Sequence, residues 1–125
     1  MKITNLTISL VVGFLLLFSM AVNAHSKLIA SEPADGSVAD ASPEKLKLTF
    51  SSKVRLIKVE MKDMEGENVE MAFMLSPIAS ENFEIPLPRL LAKKYRVSWV
   101  AMGKDSHKMN GEFSFEIKTS SDTAQ

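Results

Sequence analysis

From His25 onward the apolar positions of the chain recur mostly at every second residue, the spacing of strands that bury one face and wet the other. Leu46, Leu48 and Phe50 alternate with Lys45, Lys47 and Thr49, and Ile57, Val59 and Met61 alternate with Lys58, Glu60 and Lys62. Tyr95, Val97 and Trp99 alternate with Arg96 and Ser98, and Phe113, Phe115 and Ile117 with Glu112, Ser114 and Glu116. Shorter runs from Lys27 to Ser31, Val69 to Phe73 and Asn82 to Ile85 complete a set of seven. Turn chemistry separates them at Pro33-Ala34-Asp35-Gly36, Glu65-Gly66-Glu67-Asn68, Ser76-Pro77 and Asn110-Gly111. Leu87 to Lys94 reads as a helical turn or as a loop, and no stretch sustains an amphipathic helix. The pattern predicts an all-β fold, a seven-stranded Greek-key β-sandwich or barrel.

The first residues break this pattern. Lys2 and the initiator amine give a modest positive start, and Ile8 to Phe18 is a continuous apolar run. Val22-Asn23-Ala24 then places compact residues where a signal peptidase cuts. The run is short for a membrane span, and the small-residue site follows at once. The expected organisation is a cleaved signal peptide at 1–24, one β domain at 25–118 and a polar tail at 119–125.

Charge and cysteine content narrow the function. The chain has fifteen basic and fifteen acidic residues, of which the leader takes only Lys2, so the mature net charge is close to −1. That balance argues against general nucleic-acid or membrane-surface binding. A secretory leader implies a compartment where disulfides form, yet the chain has no cysteine. Stability must then come from the apolar core or from a metal.

Cleavage after Ala24 places His25 at a free α-amino terminus, where the amine nitrogen and Nδ1 chelate a metal in a six-membered ring. Asp105-Ser106-His107 offers a carboxylate and the other histidine of the chain. In an extended segment residues two apart share a side, so Asp105 and His107 would face one ion together. Three nitrogens and one oxygen suit tetragonal Cu(II). Each piece has an ordinary reading: His25 as a plain first residue, His107 as a solvated loop histidine. The combination carries the inference, because the expected cut exposes the one side chain that makes the terminus a chelator.

The sequence also resembles a known family. His25-Ser-Lys-Leu-Ile-Ala-Ser-Glu-Pro-Ala-Asp-Gly-Ser37 is similar to the opening of CopC-type copper-resistance domains. Ser42-Pro43, Leu46-Lys-Leu-Thr-Phe-Ser51, Tyr95-Arg-Val-Ser-Trp99, Asp105-Ser-His107 and Gly111-x-Phe-x-Phe115 continue the resemblance in order. It implies a cupredoxin-like or immunoglobulin-like barrel in the periplasm, with one Cu(II) per chain held by His25, Asp105 and His107. It also implies a CopD-type multi-pass membrane protein as partner. One departure stands out: the family often has proline after the D-S-H triplet, where this chain has Lys108. That change loosens the loop and adds a positive charge near the metal.

Some members of that family hold Cu(I) among methionines, and thioethers are the soft ligands Cu(I) prefers. Met61, Met64, Met71, Met74, Met102 and Met109 lie beyond the leader. Met61 and Met71 continue apolar strand faces and Met109 fills an apolar slot, which is the use of methionine as core filler. Only Met64 and Met74 fall outside a core pattern, and no histidine lies near them, so a Cu(I) site is not expected. Trp99 lies on a buried strand face and reads as a core anchor.

The leading expectation is a periplasmic protein of copper resistance or homeostasis that sequesters or carries Cu(II), without catalysis. A copper-dependent oxidative enzyme with an N-terminal histidine brace is the alternative from a different class. Against it, the chain is short and shows no flat aromatic substrate surface. A metal-free structural sandwich is the third reading.

Overall fold

The computed structural model describes residues 26–75 and 77–118, so the leader, His25, Ser76 and the tail lie outside the described residues. Within them the chain is all-β, with no helix. The strands are β1 (Leu28–Glu32), β2 (Ser37–Ala39), β3 (Lys45–Asp63), β4 (Asn68–Val69), β5 (Ser80–Pro86), β6 (Lys94–Met102) and β7 (Lys108–Ile117). They form one curled seven-stranded sheet ordered β1-β3-β6-β7-β2, with β4 and β5 also on β3. All pairings are antiparallel except β2 with β7.

The long strand β3 organises the sheet. Its first part, around Lys45 to Thr49, pairs with β1 on one side and β5 on the other. Its second part, Arg55 to Asp63, pairs with β6, and Met61 and Lys62 pair with β4. The register slips between Thr49 and Val54 against β5, and again between Leu56 and Lys58 against β6. A bulge of this kind bends a strand and shifts its phase. Leu46, Leu48, Phe50, Val54 and Leu56 are buried, and beyond the second slip the buried set becomes Val59, Met61 and Asp63.

The second slip explains the first of several departures from the pattern reading. The separate runs at 45–50 and 57–62 are one strand, and Ile57 sits at the bulge, only half-buried. The seventh strand is instead β2, three residues whose Val38 is exposed and so gives no alternation to detect. The run at 69–73 shrinks to Asn68–Val69, although Met71 and Phe73 still pack on the core. Leu87 to Lys93 is a loop, tied down where the Leu90 N–H donates to Ser42 Oγ at 2.8 Å.

Asn110-Gly111 makes no turn. Both residues lie inside β7, paired with Val100 and Trp99. The glycine is there for space: a Cβ at 111 would stand 2.6 Å from Trp99 Cζ2. Trp99 also meets Phe50 edge-on, with ring centroids 5.1 Å apart. Phe50, Phe115, Leu46, Leu48, Leu56, Met61, Val54 and Val97 are the largest fully buried side chains. Each apolar one contributes about 1.5–3 kcal/mol relative to exposure. With no cysteine in the chain, this core carries the stability.

Candidate metal centre

Three segments converge at one end of the sheet: the start of β1, the β3 bulge at Ser51 to Lys53, and the reversal from β6 to β7. The first two are laced together. The Ser51 N–H donates to the Lys27 carbonyl at 2.8 Å, and the Lys27 N–H donates to Ser51 Oγ at 3.0 Å. Ser26 and Ser52 share a hydrogen bond between their hydroxyls. The slip that frees the middle of β3 from β5 therefore gives the beginning of the domain its anchor.

The β6–β7 reversal is a tight turn. The Ser106 N–H donates to the Gly103 carbonyl at 3.1 Å, and the Gly103 N–H donates to the His107 carbonyl at 3.2 Å. Asp105 Oδ1 accepts the His107 N–H at 3.2 Å, the local bond by which aspartate stabilises turns. Ser106 pays for the reversal with a φ of 64°, a conformation that non-glycine residues seldom adopt.

Asp105 and His107 are together, as the motif suggested, but the turn brings them together rather than strand alternation. Asp105 Oδ2 lies 2.7 Å from His107 Nδ1, so the carboxylate backs the ring. Both side chains are exposed, His107 at 78% and Asp105 at 53%. His107 Nε2 makes no hydrogen bond among the described residues. With one ring nitrogen held by a carboxylate, the other is fixed in orientation and open to a metal. The His107 ring and then its backbone N–H hold the Asp105 carboxyl below its usual range, so it stays ionised.

The pair opens onto a cleft of about 500 Å³ lined by Ser26, Ser52, Gly103, Lys104, Asp105, His107, Lys108 and Met109. The aspartate and the histidine are legible in the sequence, but the two serines that hold the segment before β1 against them are not. Their only signal was a Ser51-Ser52 pair interrupting an apolar alternation.

The methionines are dispersed. Met61 is buried, Met71 and Met109 pack against the core, and Met64 and Met74 are exposed. Met102 Sδ lies 3.6 Å from an Arg55 guanidinium nitrogen. A different carboxylate group, Asp63, Glu65 and Glu67, clusters at the opposite end of the sheet around the β3–β4 turn. Asp63 there is already satisfied by the Glu65 and Glu67 N–H groups and by Lys93.

The fold and this end of it define a small all-β domain that presents an ionised carboxylate and an oriented imidazole beside the segment that leads into β1. Residues 28–118 match the model of the CopC domain family, and the chain belongs to that family. It is 31% identical over 112 residues to copper resistance protein C of Pseudomonas syringae pv. tomato, covering 82% of this chain and 88% of that one. It is 33% identical over 117 residues to copper resistance protein C of Escherichia coli, covering 85% and 91%. The fold matches the crystal structure of CopC from Methylosinus trichosporium OB3b with a TM-score of 0.64, at 22% identity, over 75% of this chain and 94% of that one. It matches PcoC, a methionine-rich copper resistance protein from Escherichia coli, with a TM-score of 0.62 at 27% identity, over 76% and 100%. The family is one of copper resistance proteins, not of enzymes.

Proposed function

We propose that this is a periplasmic copper-binding protein of copper resistance, which takes one Cu(II) at His25, Asp105 and His107 as cargo rather than as a catalytic cofactor. The observation that carries the reading is the position of Ser26. It lines the same cleft as Asp105 and His107, and His25 is one peptide unit, about 3.8 Å between Cα atoms, further back. Once residues 1–24 are removed, the α-amine and the His25 ring add their nitrogens to the His107 imidazole and the Asp105 oxygen. That set suits Cu(II) by ligand type, because imidazole and amine nitrogens stand high in its preferences. Asp105 serves twice: its charge stays beside the ion, and its bond to Nδ1 fixes which His107 nitrogen faces it.

The same reading takes the curled sheet as the Greek-key closure of an immunoglobulin-like or cupredoxin-like barrel, occupying 25–118. It makes the protein a carrier or buffer that passes copper to a CopD-type membrane protein. The exposed Met64 and Met74, with no histidine near them in sequence, are not assigned a Cu(I) site.

The test is metal stoichiometry by native mass spectrometry on the exported protein, with electron paramagnetic resonance of the copper form. The expected result is one Cu(II) and a nitrogen-rich tetragonal spectrum. A purely oxygen-type signal removes the site.

A further inference from the structure

The end of the molecule that carries Asp105 and His107 is rimmed by cations. Lys104 and Lys108 line the cleft itself. Lys27 follows Ser26, and Lys53 follows Ser52 on the β3 bulge. Arg55, Met102 and Lys108 form one cross-strand row over β3, β6 and β7. Partners in such a row share a face of the sheet. Lys27, Lys53, Arg55, Lys104 and Lys108 are all exposed, and none has an ion-pair partner among the described residues. Elsewhere Lys45, Lys47, Lys58 and Lys93 are each matched to a carboxylate, whereas Lys62, Arg89, Lys94, Arg96 and Lys118 are unpaired among the described residues but line no cleft with Asp105 and His107. Acids are also near: Asp105 is engaged with His107, Glu81 stands beside the Ser80 that pairs with Val54, and Asp35 and Glu112 line the neighbouring cleft that Ser26 and Lys27 share.

This is the wrong charge for a mouth that draws a bare dication from water, since local fields concentrate ions of opposite sign. It is the right charge for receiving something anionic. We infer that this rim is a docking surface for a carboxylate-rich segment of a partner protein that exchanges copper with the site. The purpose rests on the copper reading above, but the docking does not require the metal. Arg55 and Lys108 are two strands apart, about 10 Å, the span of three residues of an extended acidic segment. Lys104 and Lys108 line a concave cleft, the other cations lie on the segments around it, and the chain has no overall positive surplus. A protruding acidic segment therefore fits better than an anionic membrane.

The experiment is a nuclear magnetic resonance titration of the metal-free, ¹⁵N-labelled protein with a synthetic peptide of alternating Glu and Gly. A Lys–Gly peptide and phosphatidylglycerol vesicles serve as comparisons. At about 20 mM ionic strength the acidic peptide should shift the amides of Lys27, Ser52 to Arg55 and Gly103 to Lys108. It should bind at least about tenfold more tightly than the basic peptide, with the difference collapsing near 0.3 M salt. The double change Lys104→Glu and Lys108→Glu should weaken binding about tenfold or more, whereas Lys62→Glu, at the far end of β3, should not. Absent or salt-insensitive shifts, shifts centred on Lys62 and Arg96, or vesicles perturbing these amides when the peptide does not, would each overturn the inference. Copper stoichiometry on the same sample separates the two readings. Peptide binding without copper binding keeps the docking surface and discards the metal site, and the reverse discards the docking surface.

Discussion

The two ends of the sheet each carry a tight turn built on an aspartate, and they use it for opposite purposes. At the β3–β4 turn, Asp63 Oδ1 accepts the N–H groups of Glu65 and Glu67 at 2.9 and 3.0 Å. Its Oδ2 meets Lys93 Nζ at 3.1 Å, and the residue is only 7% exposed. At the β6–β7 turn, Asp105 likewise accepts an N–H two residues on, but its other oxygen rests on an imidazole and both groups face solvent. Both carboxyls are held below the ordinary range, Asp63 chiefly by the Glu67 N–H against the opposing effect of burial, Asp105 chiefly by the His107 ring. A lowered carboxyl is thus no mark of a site. What separates the two is whether the remaining donors and acceptors are spoken for: the Asp63 turn is closed by a lysine, and the Asp105 turn is left open toward a cleft.

The largest expected effect is on the open turn. His107→Ala should weaken Cu(II) binding by at least about 100-fold, and Asp105→Ala by about 10–100-fold, because the second removes both a donor and the group that orients the ring. Met64→Ala and Met74→Ala should leave Cu(II) affinity unchanged in the same competition assay. Abolition of Cu(II) binding by either methionine change would move the site to the other side of the comparison.

The closed turn should answer in stability instead. Asp63→Ala leaves two turn N–H groups unpaired and Lys93 with only the longer 3.8 Å pairing to Glu65, and should lower the melting temperature by roughly 5–15 °C while leaving copper affinity intact. Calorimetry of the metal-free protein measures it. A variant that melts like the parent would make the buried carboxylate dispensable.

A smaller effect sharpens the same contrast through pH. Because the folded Asp63 carboxyl is lowered from 3.8, its contribution is complete above that value and is lost as pH falls through the folded one. Lys93 is raised from 10.5 chiefly by its bond to Asp63, so its share is present below that value and lost as pH rises through the folded one. The melting-temperature gap between parent and Asp63→Ala should be flat across neutral pH and close as pH falls below 3.8 and through the lowered folded value. A gap that persists there would mean that the side chain acts by packing alone.

Most of the sheet was legible in the alternation of apolar residues, because β3, β6 and β7 each wet one face. What escaped it has physical causes. A bulge at Ile57 changes the buried parity inside a single strand, which alternation reads as two strands. β2 is too short and too exposed to show a period, and it is held by the Gly36 N–H on the Ser114 carbonyl at 2.7 Å and by its pairing with β7. Asn110-Gly111 carried a turn signal, but the glycine answers to the ring of Trp99, a contact made across the sheet and invisible in local sequence. Asp105 and His107 were legible because their chemistry is local. The Ser26–Ser52 contact joins residues far apart in the chain, and no local pattern announces it.

The central claim is that the new amino terminus at His25 is itself a ligand. A competition titration against a Cu(II) chelator, comparing protein beginning at His25 with protein that keeps residues before it, tests this most directly. An amide at that position removes a basic nitrogen and breaks the chelate ring, while the core begins at Leu28 and remains intact. The account predicts equal folding by circular dichroism and at least about 100-fold weaker copper binding in the extended form. Equal affinities would contradict it.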